Sequence, residues 1–224
     1  MRAVTASALL TGLASGAWAA SGAPAAAPSP TPAALTPAAR QAAEQGAAAF
    51  AKSDFKAART AFAELLRQMP GHPAALVNLA SAEFRLGKGE EAAKLLEEAV
   101  RKDPDAPAPW LTLGMVRLSL ENLDGALAAL AQAVYLDPTN GRALAYLGVA
   151  FGRKGYNDAA EGAFRRSLEL EPDAADTHFN LALSYLRREP AMLELARRHY
   201  YRARDLGAKP DPLVERRIEA ADPR

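Results

Sequence analysis

Four prolines, Pro70, Pro104, Pro138 and Pro172, stand 34 residues apart, and this interval constrains the fold more than any other feature of the chain. Three of them close the stretches VRKDP, VYLDP and LELEP, each with an acidic residue directly before the proline, and VYLDP ends an apolar run. Proline has no N–H and disfavours the helical conformation in the residue before it, so each mark reads as a helix stop. Asn140 and its equivalents just after each stop read as the cap of the next helix.

Rows of 34 align more than the prolines. A small-residue column holds Gly46, Ala80, Gly114, Gly148 and Ala182; an alanine column holds Ala58, Ala92, Ala126 and Ala160; a large apolar column holds Phe62, Leu96, Leu130 and Phe164. Each row carries two helical patterns separated by a short turn such as LGKGE, LENLD or RKGYN. Two helices that cross closely need Gly or Ala at the crossing, and a Phe or Leu beside it fills the remaining gap.

These columns resemble the tetratricopeptide repeat, whose pattern runs from an early Trp through Leu-Gly, Ala, an aromatic or Leu, and Ala to a final Pro at a 34-residue period. The third row matches in full, with Trp110, Leu113, Gly114, Ala126, Leu130, Ala133 and Pro138; the fourth follows with Leu147, Gly148, Phe151, Ala160, Phe164 and Pro172. Five repeats result, 39–72, 73–106, 107–140, 141–174 and 175–208, covering about three quarters of the chain. The resemblance implies an all-α fold, a right-handed superhelical α-solenoid of stacked antiparallel helix pairs. In the fifth row Ala196, Tyr200 and Ala203 keep the pattern if RREPAM carries two extra residues, which predicts Pro190 near the start of the second helix. Residues 209–224 read as a capping helix and tail, with Leu213, Val214 and Ile218 on the side that covers the last repeat.

The N-terminal region differs in kind. Residues 1–20 contain one basic residue, a mildly apolar uncharged stretch and the small residues Ala17 and Ala19 around Trp18, the pattern of a secretory signal cleaved near Ala19 or Ala20. Residues 21–38 are Ala, Pro and Ser-rich without charge, an extended spacer. The expected location is periplasmic or secreted; an uncleaved N-terminal segment would leave the chain cytoplasmic. Among the 224 residues, 27 Lys and Arg nearly cancel 26 Asp and Glu, which gives no electrostatic case for nucleic acid or an anionic membrane as the main partner. No cysteine is present, so disulfides and thiolate metal sites are excluded. No later run of about 18 strongly apolar residues predicts a membrane-spanning helix.

By resemblance, the first helix of each pair lines a concave wall. The positions that would face it include Phe50, Phe84, Leu118 and Leu186 in one column, Met115, Val149 and Leu183 in a second, and Val77, Leu111 and Phe179 in a third. Arg85, Arg153 and Arg187 form a basic rim. An apolar wall of this kind suits an amphipathic helix or hydrophobic peptide, with acidic flanks favoured by the rim. The same side chains at helical spacing also read as packing against the next repeat, or as covered by the chain's own tail or C-terminal helix. Relatives that clamp a terminal carboxylate use Lys and Asn in the first repeat; this chain has Ala43 and Ala47 there.

Signals of chemistry are weak. His72, His178 and His199 show no metal-ligand spacing, and His178 occupies the slot of Trp110, so each reads as structural. GKGEEA at 87–92 fits a dinucleotide fingerprint by letter but follows no strand, which leaves it a turn. Glu97, Glu98, Glu169 and Glu171 read as convex surface charge, and no nucleophile motif occurs. The expectation is a non-catalytic scaffold or adaptor with a protein or peptide partner and no metal or cofactor; the alternative is a chaperone that shields hydrophobic segments of exported clients.

Overall fold

The structure is a computed structural model in which residues 36–219 are described; the expected signal, most of the expected spacer and the last five residues lie outside that range. The described residues form helices and turns, with no strand among them. Residues 36–136 make one compact unit and residues 137–219 another.

The first unit contains α1 (Pro37–Ala51), α2 (Phe55–Gln68), α3 (Pro73–Arg85), α4 (Gly89–Lys102), α5 (Pro107–Ser119) and α6 (Leu123–Leu136). Each helix packs on the next, and α3 also touches α5. The second unit contains α7 (Gly141–Arg153), α8 (Asn157–Leu170), α9 (Ala175–Leu186), α10 (Leu193–Asp205) and α11 (Pro212–Glu219), again packed in sequence order, with α7 touching α9. Helix α1 opens two residues earlier than the repeat boundary at 39, because Thr36 accepts a hydrogen bond from the Ala39 N–H and Pro37 has no N–H to satisfy.

The columns take the roles expected of them. A Cβ added at Gly46 would stand 2.4 Å from the Phe62 ring, one at Gly114 2.4 Å from Leu130, and one at Gly148 2.7 Å from Phe164. Ala58, Ala92, Ala126 and Ala160 are all fully buried. The second helices end at Gln68, Lys102, Leu136 and Leu170, two residues before each proline. Capping is less uniform than expected. Asn140 accepts from the Ala143 N–H at 2.9 Å, but His72, Ala106 and Ala174 make no side-chain cap. Pro73 and Pro107 at the first helical position reduce the need for one, since they have no donor to satisfy.

A further 34-residue rhythm lies inside the pairs. Ser53, Gly87, Glu121 and Gly155 all have left-handed backbone, with φ of 59°, 81°, 59° and 84°. At each, the next residue's N–H bonds back to the carbonyl five positions earlier, as Lys88 does to Glu83 and Tyr156 to Phe151. This motif ends the first helix and reverses the chain within four residues. A Cβ at Gly87 or Gly155 would meet nothing within 4 Å, so Gly87→Ala and Gly155→Ala should each lose about 1 kcal/mol through backbone conformation alone. Chemical denaturation of each variant checks this; unchanged midpoints would mean that the turns relax freely.

The fifth pair departs at its connection. Ala196, Tyr200 and Ala203 are buried as expected, but α10 starts at Leu193, so Pro190 lies in the loop and not in the first turn. In α11, Val214 and Ile218 are buried one helical turn apart, while Leu213 is 51 % exposed. A residue adjacent to Val214 points about 100° away around the helix, which removes Leu213 from the covering face.

Candidate interaction surface

The wall expected to be open is largely closed. In the first unit Val77, Met115 and Leu118 are buried, the last two at 4 % and 1 % exposure, and Phe50, Phe84 and Leu111 are half-buried. Val77 joins the core with Leu76, Ala80, Leu96 and Leu113, and Phe84 packs against that cluster. Phe50 packs against the cluster of Phe62 and Leu79 and meets the Phe55 ring edge-on at 5.2 Å. Helix α5 is apolar nearly all round, with Thr112 to Val116 buried in succession, and such a helix buries more than one stripe. Two aspartates at Met115 and Leu118 would therefore enter a buried setting, not a tolerant exposed one.

In the second unit Leu183 and Leu186 are buried, because they belong to the cluster that includes Val214 and Ile218 of the capping helix. Val149 and Phe179 are half-buried against the same cluster. The C-terminal helix thus covers the last repeat, one of the two readings the sequence left open.

The basic rim does not behave as one row. Arg85 is exposed but lies 4.3 Å above the Phe55 ring and 6.0 Å from Phe50, which holds it by cation–π attraction. Arg153 is half-buried and already engaged. Arg187 is half-buried, its Nε is enclosed without a hydrogen-bond partner, and burial pushes its pKa below the usual arginine value. It borders an open depression of about 720 Å³ in the second unit, lined by residues 155–159 and 187–189.

The histidines have no metal-ligand spacing in the sequence, and the fold brings two of them together. His178 Nδ1 and His199 Nδ1 are 2.8 Å apart with the rings stacked at 5.1 Å. His178 Nε2 lies 3.0 Å from the Pro172 carbonyl, repeating the bond from Trp110 Nε1 to the Pro104 carbonyl two rows earlier. A carbonyl only accepts, so His178 carries its proton on Nε2, and His199 must then donate from Nδ1 to the bare Nδ1 of His178. Burial, the His178 ring, and the cations of Arg198 and Arg165 lower the His199 pKa to about 4 from 6.5. A depressed value means that the unfolded chain takes the proton first as pH falls. The pair's contribution is therefore fully present above about pH 6.5 and is lost as pH drops toward 4. Urea midpoints should decline across that window, and His199→Asn should flatten the decline; equal slopes would remove the histidine pair as its cause.

No curated protein matches the sequence. A family model described as tetratricopeptide repeat matches residues 49–115, and a second with the same description matches residues 108–140. Among solved structures, MamA from Desulfovibrio magneticus RS-1 is 20 % identical, covers 77 % of this chain and 97 % of its own, and superposes with a TM-score of 0.68. TTC0263 of Thermus thermophilus, described as a thermophilic TPR protein, is 24 % identical with coverages of 82 % and 98 % and a TM-score of 0.64. YrrB, described as a TPR protein with an unusual peptide-binding site, is 22 % identical with coverages of 81 % and 91 % and a TM-score of 0.63. The solved structures show the fold, and the family models place residues 49–140, the rows that carry the motif most fully, in the tetratricopeptide-repeat family.

Proposed function

We propose that the chain is a non-catalytic adaptor, exported to the periplasm or cell envelope, that holds a segment of a partner protein. The repeat fold is the observation that carries this reading, because stacked helix pairs supply extended faces suited to protein–protein interaction. YrrB, with its peptide-binding site, supports a peptide segment as the thing held. The segment is amphipathic in this proposal. Its apolar residues face the half-buried Phe50, Phe84 and Leu111 of the first unit, or Val149 and Phe179 of the second. No described helix is long and apolar enough to cross a membrane.

Affinity purification of the mature chain from envelope extracts tests the adaptor reading. One partner at fixed stoichiometry is the expected result. Several unrelated proteins at variable amounts, together with suppression of their aggregation, would replace the adaptor with a chaperone. N-terminal sequencing of the exported chain should begin after Ala19 or Ala20; an intact Met1 would end the export proposal.

A further inference from the structure

We infer that the depression between the start of α8 and the end of α9 binds a carboxylate of an acidic peptide segment, with Arg187 as its anchor. The inference rests on the reading of the chain as a binder of protein segments, and it names the chemistry of one contact.

Three observations converge on this place. Arg187 makes no ion pair among the described residues, although its Nε is enclosed and a guanidinium nitrogen lies 3.2 Å from where a Cβ of Gly152 would stand. Burying a guanidinium against the end of α7 without a carboxylate is costly, and the cost falls when an anion arrives. The neighbouring Arg188 is different: it is bonded to Glu161 at 2.5 Å and paired with Asp158, so those two acids are already occupied. Helix α8, 14 residues long, opens into the same depression; Tyr156 at its cap position makes no side-chain bond to the first N–H groups, and Asp158 in its first turn is drawn to Arg188. Its first N–H groups and its dipole therefore favour a negative group at the site that Arg187 borders.

The surroundings select a peptide. Tyr156 is about half exposed, with the Lys154 ammonium 6.0 Å from its ring centre, so an apolar face and cations meet at one edge. An acidic side chain next to an apolar one would satisfy both. Glu189 also lines the depression and is exposed; its charge disfavours a bare polyanion and sets the number of carboxylates that fit at a small value. Arg217 of α11 adds a cation near Arg187 across the apolar contact with Leu183, Leu186 and Val214; its guanidinium is bonded to the Leu186 carbonyl and faces no carboxylate among the described residues.

The test is an NMR titration of the full chain at low salt with two capped tripeptides, acetyl-Glu-Leu-Glu-amide and acetyl-Gln-Leu-Gln-amide. Saturable shifts of the Arg187 Nε–H and of the Asp158 and Ala159 amides are expected with the acidic peptide, and weaker or unsaturable ones with the neutral peptide. Arg187→Met should weaken acidic-peptide binding about tenfold or more, with Arg187→Lys in between. Gly152→Ala, which displaces the guanidinium while keeping its charge, should weaken it also. Circular dichroism of each variant verifies the fold. Equal affinity for both peptides, or Arg187→Met binding like the parent, overturns the inference. The two readings separate cleanly. A purified partner held equally well by Arg187→Met would sink this site and leave the adaptor intact; tripeptide binding without any protein partner would do the reverse.

Discussion

Gly114→Leu and Gly148→Leu should each destabilise the fold by about 3 kcal/mol, the upper part of the range for overpacking. A Cβ alone would already stand 2.4 Å from Leu130 Cγ or 2.7 Å from the Phe164 ring, and three further carbons have nowhere to go. The neighbours cannot yield, since Leu130 and Phe164 are themselves enclosed by the core. The helices of the pair would have to separate, which removes the crossing that every row repeats. Thermal melts should show midpoints lowered by about 6 to 12 °C. Gly162→Ala is the control: it sits in α8 with nothing within 4 Å of an added Cβ, and helix propensity predicts a gain of up to about 1 kcal/mol. Loss at Gly162 equal to that at Gly148 would mean that the crossing is not what these glycines serve.

Tyr200→Ala should cost about 3 to 5 kcal/mol, and Tyr200→Phe about 1 to 2 kcal/mol. The ring is fully buried in α10, in the large apolar column that elsewhere holds Phe or Leu, and lies 6.1 Å from Phe179. Its hydroxyl does more than the other members of the column can. It donates to Glu215 Oε1 at 2.8 Å and accepts from the Asp211 N–H at 2.9 Å, so one oxygen ties both the entry and the first turn of α11 to the last repeat. Arg204 reaches the same Glu215 oxygen at 3.2 Å. Tyr200→Phe keeps the volume and removes both bonds, so hydrogen exchange at Val214 to Ile218 should rise well before global unfolding. Unchanged exchange there would show that apolar contact alone seats the helix.

The parts of the fold that depend on a repeated spacing were legible. The proline stops, the close crossings at Gly46, Gly114 and Gly148, and the shifted triad Ala196, Tyr200 and Ala203 all follow from side-chain volume and chain chemistry at fixed intervals. The surface was much less legible, because helical periodicity says which side chains share a face and not what covers that face. Leu183 and Leu186 share a face with wall positions of earlier rows, yet the capping helix encloses them. Met115 and Leu118 looked like wall and are buried within a helix apolar on most sides. The histidine pair was hidden by the same two-residue insertion that shifts the fifth row. Counting 36 residues on from Ala163 reaches His199, the column of Ala129, and Ala129 packs in the cluster that Trp110 joins. The slot of Trp110 in that row belongs to His178. The depression beside Arg187 had no sequence signal beyond the arginine itself, since an unpaired guanidinium is a fact of three-dimensional placement.

Within each unit the helices that pack together most closely are neighbours in the chain or next but one. The ends of the polypeptide need not find each other before native contacts begin to stabilise. Loop-closure entropy stays small, and so does the search that slows proteins built from distant pairings. Such a unit should fold on the microsecond to millisecond scale typical of local topologies. It can also assemble one hairpin of helices at a time, so a nascent chain could begin folding while its later rows are still being made.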